Sequence, residues 1–155
     1  MKIMARATLA TLTAATLLPF TTNPAVAAPT DVTLTAAGGI NEVTVTVTNN
    51  TAEALSVCLI AGGHDAAGPP DPAFPIADVA AEAGAPGTHS ATIPDIPAGN
   101  YFVYWACAQD DGQEQEQWGT VPVLDPNKVT AQPIPVTVTA PKCFGSLCLP
   151  DGFGS

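Results

Sequence analysis

Four cysteines carry the clearest chemistry in this chain of 155 residues. In an oxidising compartment an even number of cysteines indicates disulfide bonds, and four of them allow three pairings. Cys58 and Cys107 each lie within a predicted strand, whereas Cys143 and Cys148 enclose a short Gly-containing loop. The simplest pairing joins Cys58 to Cys107 and Cys143 to Cys148. Zinc is not expected, because Cys-x-x-Cys pairs and histidines at ligand spacing are both missing from the sequence.

Two histidines, His64 and His89, are the candidates for acid–base chemistry. A Ser-His-Asp site would combine either of them with Ser90 and with Asp65 or Asp71. The sequence contains no Gly-x-Ser-x-Gly turn to present a nucleophile. We therefore expect a protein that is not an enzyme and needs no cofactor, with an extracellular hydrolase as the least favoured alternative.

Acidic residues cluster in a predicted hairpin loop at Asp110, Asp111, Glu114 and Glu116. Carboxylate oxygens suit Ca²⁺. The spacing departs from that of an EF-hand loop, because Gly112 comes too early in it. A solvated hairpin tip is the favoured interpretation, and a weak Ca²⁺ site is the alternative.

Aromatic residues are concentrated in the segment 100–109, which is apolar on both faces, as expected of a central strand. One face must belong to the core. A second core face is the favoured interpretation of the other side; if that side is partly open instead, Phe102 and Tyr104 would form a binding surface with Trp118. The candidate binding surface thus consists of aromatic and acidic residues: Trp118, Phe102, Tyr104, Asp110, Asp111 and Glu114.

Strands that hold these residues are predicted by period-two alternation and β-branched residues, most clearly at 42–48, where Val and Thr alternate. The predicted strands cover 32–35, 42–48, 54–61, 88–93, 100–109, 118–124 and 136–139. Seven or eight short strands with little helix are typical of an all-β, immunoglobulin-like antiparallel sandwich with two disulfides. Cys58 and Cys107 would lie in neighbouring strands of one sheet. The tyrosine-corner spacing is not met, since Trp105 stands two residues before Cys107.

The segment 62–87 is rich in Pro, Gly and Ala and is long for a loop. It is predicted to contain one or two helical turns within 76–83. Phe74 and Ile76 are expected to anchor it to the core. Together with the acidic loop 110–117, it is a candidate interaction surface.

The N-terminus predicts export. Lys2 and Arg6 precede an apolar run at 7–20, and Ala25-Val26-Ala27 has the small-x-small pattern that signal peptidase accepts. Cleavage is expected after Ala27 or Ala28. The predicted organisation is a signal peptide at 1–28, a β-sandwich domain at 29–141 and a disulfide-clamped tail at 142–155.

Cleavage would also change the charge. The chain has 4 basic and 14 acidic residues, and Lys2 and Arg6 leave with the signal peptide, so the formal charge falls from −10 to −12. Nucleic acid and anionic membranes are poor partners for such a chain, and membrane insertion is not expected. We expect a secreted monomer that acts as a binding or cell-envelope interaction module and whose partner is an unknown protein, glycan or small molecule.

Three short segments carry a family resemblance: the start Ala27-Ala28-Pro29-Thr30 before alternating Val and Thr, Trp118-Gly119-Thr120-Val121, and the Cys143-x4-Cys148 loop. They resemble the neocarzinostatin-type apoproteins, which are small, acidic, secreted actinomycete β-sandwiches that carry an apolar chromophore. The resemblance implies the fold class and an actinobacterial source, and it makes a carrier of small apolar ligands the alternative function. More broadly, the chain resembles uncharacterised secreted immunoglobulin-like sandwich proteins of actinobacteria.

Overall fold

The chain is an all-β protein built of antiparallel sheets. A computed structural model describes residues 28–110, 116–144 and 147–149, with only the backbone of residues 143–144 and 147–149. Its ten described strands are β1 (Val32–Gly38), β2 (Glu42–Asn49), β3 (Val57–Gly63), β4 (Ala77–Asp78), β5 (Gly87–Pro94), β6 (Gly99–Gln109), β7 (Glu116–Gly119), β8 (Ile134–Val138), β9 (Lys142–Phe144) and β10 (Leu147–Leu149). A single-turn helix, α1 (Ala80–Ala83), follows β4, and a 3₁₀ turn spans Pro126–Lys128. The all-β prediction is confirmed, and the expected seven or eight strands are fewer than the described ten.

Strands β9 and β10 form a two-stranded sheet by themselves, and of the two remaining sheets the smaller has three strands in the order β1-β2-β5. Val43, Val45 and Val47 of β2 are fully buried, and the threonines between them face outward, as the alternation predicts. The outward hydroxyls pair across β2 and β5, joining Thr44 to Thr92, Thr46 to Ser90 and Thr48 to Thr88 at 2.8–3.2 Å. This outer face is therefore a row of hydroxyl groups that bond to one another.

The larger sheet has five strands with β6 at its centre. Its order is β4-β3-β6-β7, and β8 also pairs with β6, beside β7 on the same edge. Strand β7 pairs with the C-terminal half of β6 and β8 with the N-terminal half. Inward residues of both sheets, among them Val45 of the smaller sheet and Trp105 of the larger, belong to one buried apolar cluster. The sheets thus share a single core.

A disulfide bond joins Cys58 of β3 to Cys107 of β6, which confirms the predicted pairing of neighbouring strands. The two residues are direct partners in the β3–β6 register, and both are fully buried. In the tail, Cys143 of β9 lies opposite Cys148 of β10. The side chains of these two cysteines lie outside the described residues, so the second predicted bond stays a prediction.

A corner before β6 is tied by a tyrosine. The hydroxyl of Tyr101 donates a hydrogen bond to the carbonyl of Pro97 at 3.0 Å. The bond runs from the start of the central strand back to the preceding turn and holds the two together. It lacks the tyrosine-corner spacing, since Tyr101 is not two residues before Cys107.

Strand β7 ends at Gly119 and does not continue to Leu124 as predicted. Thr120 bonds twice to the backbone of Trp105, donating its N–H at 2.9 Å and accepting the Trp105 N–H on its hydroxyl at 3.1 Å. Gly119 has φ of 150°, and a Cβ there would overlap the Trp105 carbonyl. The chain then turns away over residues 121–124, where Pro122 has no N–H to extend the ladder.

The segment 62–87 is ordered around one buried ring. Phe74 is buried against Gly62, as predicted, and a side chain at Gly62 would overlap the ring. The prediction for Ile76 is wrong, because its side chain is 69% exposed. The helical turns predicted over 76–83 form only at α1, because β4 first pairs with β3.

Removing the central disulfide should destabilise the protein strongly. Replacing Cys58 and Cys107 together with alanine should lower the free energy of unfolding, measured by urea denaturation, by about 4 kcal/mol, since the bond closes a long loop with a sequence separation of 49. The matched control is the double alanine variant of Cys143 and Cys148, whose much shorter loop predicts a loss of about 2 kcal/mol. A larger loss in the control pair would contradict this account.

Candidate functional site

The aromatic residues of the predicted binding surface occupy three different environments. Trp118 faces inward beside Cys107, is fully buried, and donates its indole N–H to the carbonyl of Ala28 at 3.0 Å. Tyr104 lies on the outer face of β6 but is covered, and its hydroxyl donates to the carbonyl of Asp65. Phe102 is half-buried. Of the three, only Phe102 is open to solvent, so they do not form one surface.

The acidic residues of that surface are only partly described. Asp110 is exposed at the end of β6, and Glu116 begins β7. Asp111 and Glu114 lie outside the described residues, so the calcium alternative stays a prediction. Across the described ranges, no group of three or more His, Cys, Asp or Glu side chains is placed to hold a metal ion.

His64 is held by two acceptors. Its Nε2 lies 2.8 Å from Oδ2 of Asp71, its Nδ1 lies 3.0 Å from the carbonyl of Asn100, and its ring stacks on Tyr101 with centroids 5.0 Å apart. A carbonyl and a carboxylate both accept hydrogen bonds, so the imidazole makes both contacts only when each nitrogen carries a proton.

The histidine and serine of β5 that were considered for a Ser-His-Asp site lie on the smaller sheet. His89 and Ser90 are consecutive residues of β5, so their side chains point to opposite faces. Ser90 bonds to Thr46, and Nε2 of His89 contacts the carbonyl of Pro86 at 3.1 Å. The structure therefore brings His64 and Asp71 together and leaves both of them without the serine.

An apolar groove lies on the outer face of the larger sheet and encloses about 220 Å³. Leu59 and Ala61 of β3 supply the sheet face, because Cys58 and Ile60 alternate with them toward the core. Two walls rise from this face, one from the segment after β3 and one from the segment after β7. The wall residues are Pro70, Ile76, Pro122 and Val123.

Both walls are positioned by backbone contacts. The Asp71 N–H donates to the carbonyl of Gly62 at 2.7 Å, which folds the segment holding Pro70 back over the sheet. The opposite wall follows from the end of β7, since Thr120 is clamped to Trp105 and the chain turns outward at Pro122. Hydrophobic alternation in the sequence predicted neither wall of the groove. The proline-rich composition was the one feature of the sequence that pointed to the walls.

Burial raises the pKa of both tyrosines above its ordinary value of 10. For Tyr101 the nearby Asp71 carboxylate adds to the effect of burial, and for Tyr104 the Asp65 carboxylate does so. Each phenol is therefore harder to ionise in the folded protein, because the phenolate would be poorly solvated and close to a second negative charge.

Comparison with known proteins gives no relative for this chain: no family model, no curated protein and no solved structure matches it. In the part of the chain that the structure describes, no helix combines the length and the apolar character needed to cross a bilayer.

The two tyrosines are the only ones in the sequence, so absorbance at 295 nm should report them alone. We expect both to ionise above pH 10 in the native protein and close to pH 10 in denaturant. Because the unfolded state releases these protons first, their contribution to stability is complete below about pH 10 and is lost as the pH rises through the raised values. A native titration at or below the denatured one would contradict the burial of these hydroxyls.

Proposed function

We propose that this chain is an exported, non-enzymatic, immunoglobulin-like sandwich that works by binding, and that the groove on its larger sheet takes a small apolar ligand. The main support for this proposal is the groove itself. It is lined by six apolar residues, and one of them, Ile76, exposes 69% of its side chain to solvent. A surface concavity lined by apolar side chains is typical of a ligand site.

The strand order supports the immunoglobulin-like arrangement. The first, second and fifth strands form one sheet, and the third, sixth and seventh lie in the other, as in constant-type immunoglobulin domains. Strand β4 departs from that pattern, because it pairs with β3, and β8 continues the edge that β7 begins. The bond from Tyr101 to Pro97 resembles the tyrosine corner of that architecture without its spacing to a cysteine.

The size and chemistry of the groove favour a small molecule over a protein segment. A cavity of about 150 Å³ accommodates benzene, so about 220 Å³ suits a ligand of roughly two fused rings. Among the described residues no charged side chain lines the groove, so a neutral ligand avoids the cost of desolvating an ion. Carrying a small apolar ligand is also the function of the neocarzinostatin-type apoproteins that three short segments resemble.

The state of His64 supports a role without catalysis. A general base needs a nitrogen lone pair directed at the proton that it removes. Both nitrogens of His64 are occupied by Asp71 and by the Asn100 carbonyl, and the histidine and serine of β5 point to opposite faces. We therefore propose binding in preference to hydrolysis.

Export is supported by the contacts of Ala28. Its N–H donates to Oδ2 of Asp31 at 2.9 Å, and its carbonyl accepts the indole N–H of Trp118. If cleavage falls after Ala27, the new α-ammonium group of Ala28 keeps the Asp31 contact and gains a charge that strengthens it. The disulfide between Cys58 and Cys107 suits an oxidising compartment.

Ligand binding can be tested with the neutral fluorophore N-phenyl-1-naphthylamine, whose emission rises in apolar surroundings. We expect the full chain to bind it and Ile76→Ser to weaken binding about tenfold, equal to about 1.4 kcal/mol, which is within the contribution of one covered aliphatic side chain. Because Ile76 is exposed, the substitution should leave the fold intact.

The matched control for the fluorophore is Val57→Ser. Val57 lies on the same face of β3 as Leu59 but does not line the groove. This control should bind the fluorophore as the unmodified chain does. Absence of binding, or equal weakening by both substitutions, would contradict the groove as the site.

The position of processing is a separate test. Expression with export in an actinobacterial host, followed by N-terminal sequencing of the protein in the medium, should give Ala28 as the first residue. Cleavage after Ala28 would remove the carbonyl that Trp118 uses and leave a buried indole N–H without its partner. Recovery of the chain only inside the cells would contradict export.

A further inference from the structure

A second concavity lies on the same outer face of the larger sheet and has a different chemistry. It encloses about 280 Å³ where β3 ends at Gly63 while β6 continues alone beside β8. Its floor is made by outward residues of β6 and β8, and His64 stands at one side. Its lining includes Asn100, Phe102, Pro135, Thr137 and His64.

The floor carries a flat apolar platform. Phe102 and Pro135 are direct partners in the β6–β8 register, so their rings lie side by side on the outer face. Phe102 is half-buried, which holds its ring in place and leaves part of it open. The negative face of an aromatic ring attracts the weakly positive C–H groups on one face of a pyranose.

Polar groups lie next to this platform. The hydroxyl of Thr137 donates to Oδ1 of Asn100 at 2.8 Å, and this bond orients the amide. The Nδ2 group of Asn100 has two donors that no described contact uses, and the Thr137 oxygen still has an acceptor site. A donor and an acceptor this close together match neighbouring hydroxyl groups of a sugar ring.

Charge selects against an anionic ligand. Among the described lining residues, His64 is the one whose side chain can carry a positive charge, and its Nε2 lies 2.8 Å from the Asp71 carboxylate. The remaining residues named above are uncharged, and the chain as a whole carries a formal charge of −10. An uncharged sugar meets no repulsion here, whereas a uronic acid or a sulfated sugar does.

From these contacts we propose that this concavity binds one uncharged pyranose residue of a glycan, with the sugar ring stacked on Phe102 and its hydroxyl groups bonded to Asn100 and Thr137. The volume suits a single ring better than a longer oligosaccharide, since about 150 Å³ already accommodates benzene. The site is separate from the apolar groove, because the two share no lining residue. It therefore stands whether or not the groove binds an apolar ligand.

The test is a titration of the ¹⁵N-labelled full chain with the methyl pyranosides of glucose, galactose, mannose and N-acetylglucosamine, with methyl glucuronide as the charged comparison. At least one neutral pyranoside should shift the amide signals of residues 100–102, 136 and 137. Methyl glucuronide should shift them less. Absence of shifts with every neutral sugar, or shifts located elsewhere, would overturn the proposal.

Substitutions then identify the contacts. Phe102→Leu keeps an apolar side chain and should weaken sugar binding about tenfold, near the upper end of an aromatic stacking contribution. Phe102→Tyr retains the ring and should retain binding. Equal binding by the leucine variant would overturn the stacking geometry, and the amide spectrum of each variant reports whether it is folded.

Testing each variant with the ligand of the other site distinguishes the two sites. Ile76→Ser should leave the sugar titration unchanged, and Phe102→Leu should leave fluorophore binding unchanged. If Ile76→Ser abolishes both, the two ligands share one site and the second site does not exist. If the fluorophore fails to bind while the sugar still does, only the groove is refuted.

Discussion

The arrangement of the larger sheet depends on one property of strand β6. Both faces of β6 are apolar, and both must be covered. Its inward residues fill the core shared by the two sheets. Its outward residues require a second layer, which comes from the segments after β3 and β7. These segments cover β6 incompletely, so concavities remain above and beside the strand. Both candidate sites are such gaps above or beside β6.

The parts of this arrangement that could be predicted from the sequence are those that a local sequence pattern determines. The alternation at 42–48 and the two-sided apolar pattern at 100–109 predicted β2 and β6, because side-chain direction in a strand is set by the period of two alone. The pairing of Cys58 with Cys107 followed from placing both in neighbouring strands. Ile76 shows the limit: an isoleucine suggests burial by its type, but here β4 pairs through its backbone and leaves that side chain on a groove wall.

Contacts between distant segments decided the features that the sequence did not predict. Strand β7 ends early because Thr120 bonds to Trp105, and no pattern around Thr120 indicates that partner. Asn49 is similar: it reads as a turn residue, yet it is buried and its amide donates to the carbonyls of Glu53 and Gly84. A buried amide must satisfy its donors, so Asn49 ties the end of β2 to the helix that leads into β5.

The two outer faces of the protein therefore differ in what remains available for a ligand. On the smaller sheet the threonine and serine hydroxyls bond to one another across β2 and β5, and a ligand would have to compete with those bonds. On the larger sheet the groove offers apolar surface without hydrogen-bonding competition, and the second concavity offers amide donors that no described contact uses. The segment after β3 borders both, with Pro70 on the groove and His64 on the concavity. A ligand on the larger sheet therefore displaces fewer existing hydrogen bonds than one on the smaller sheet, and the segment after β3 contributes to both candidate sites.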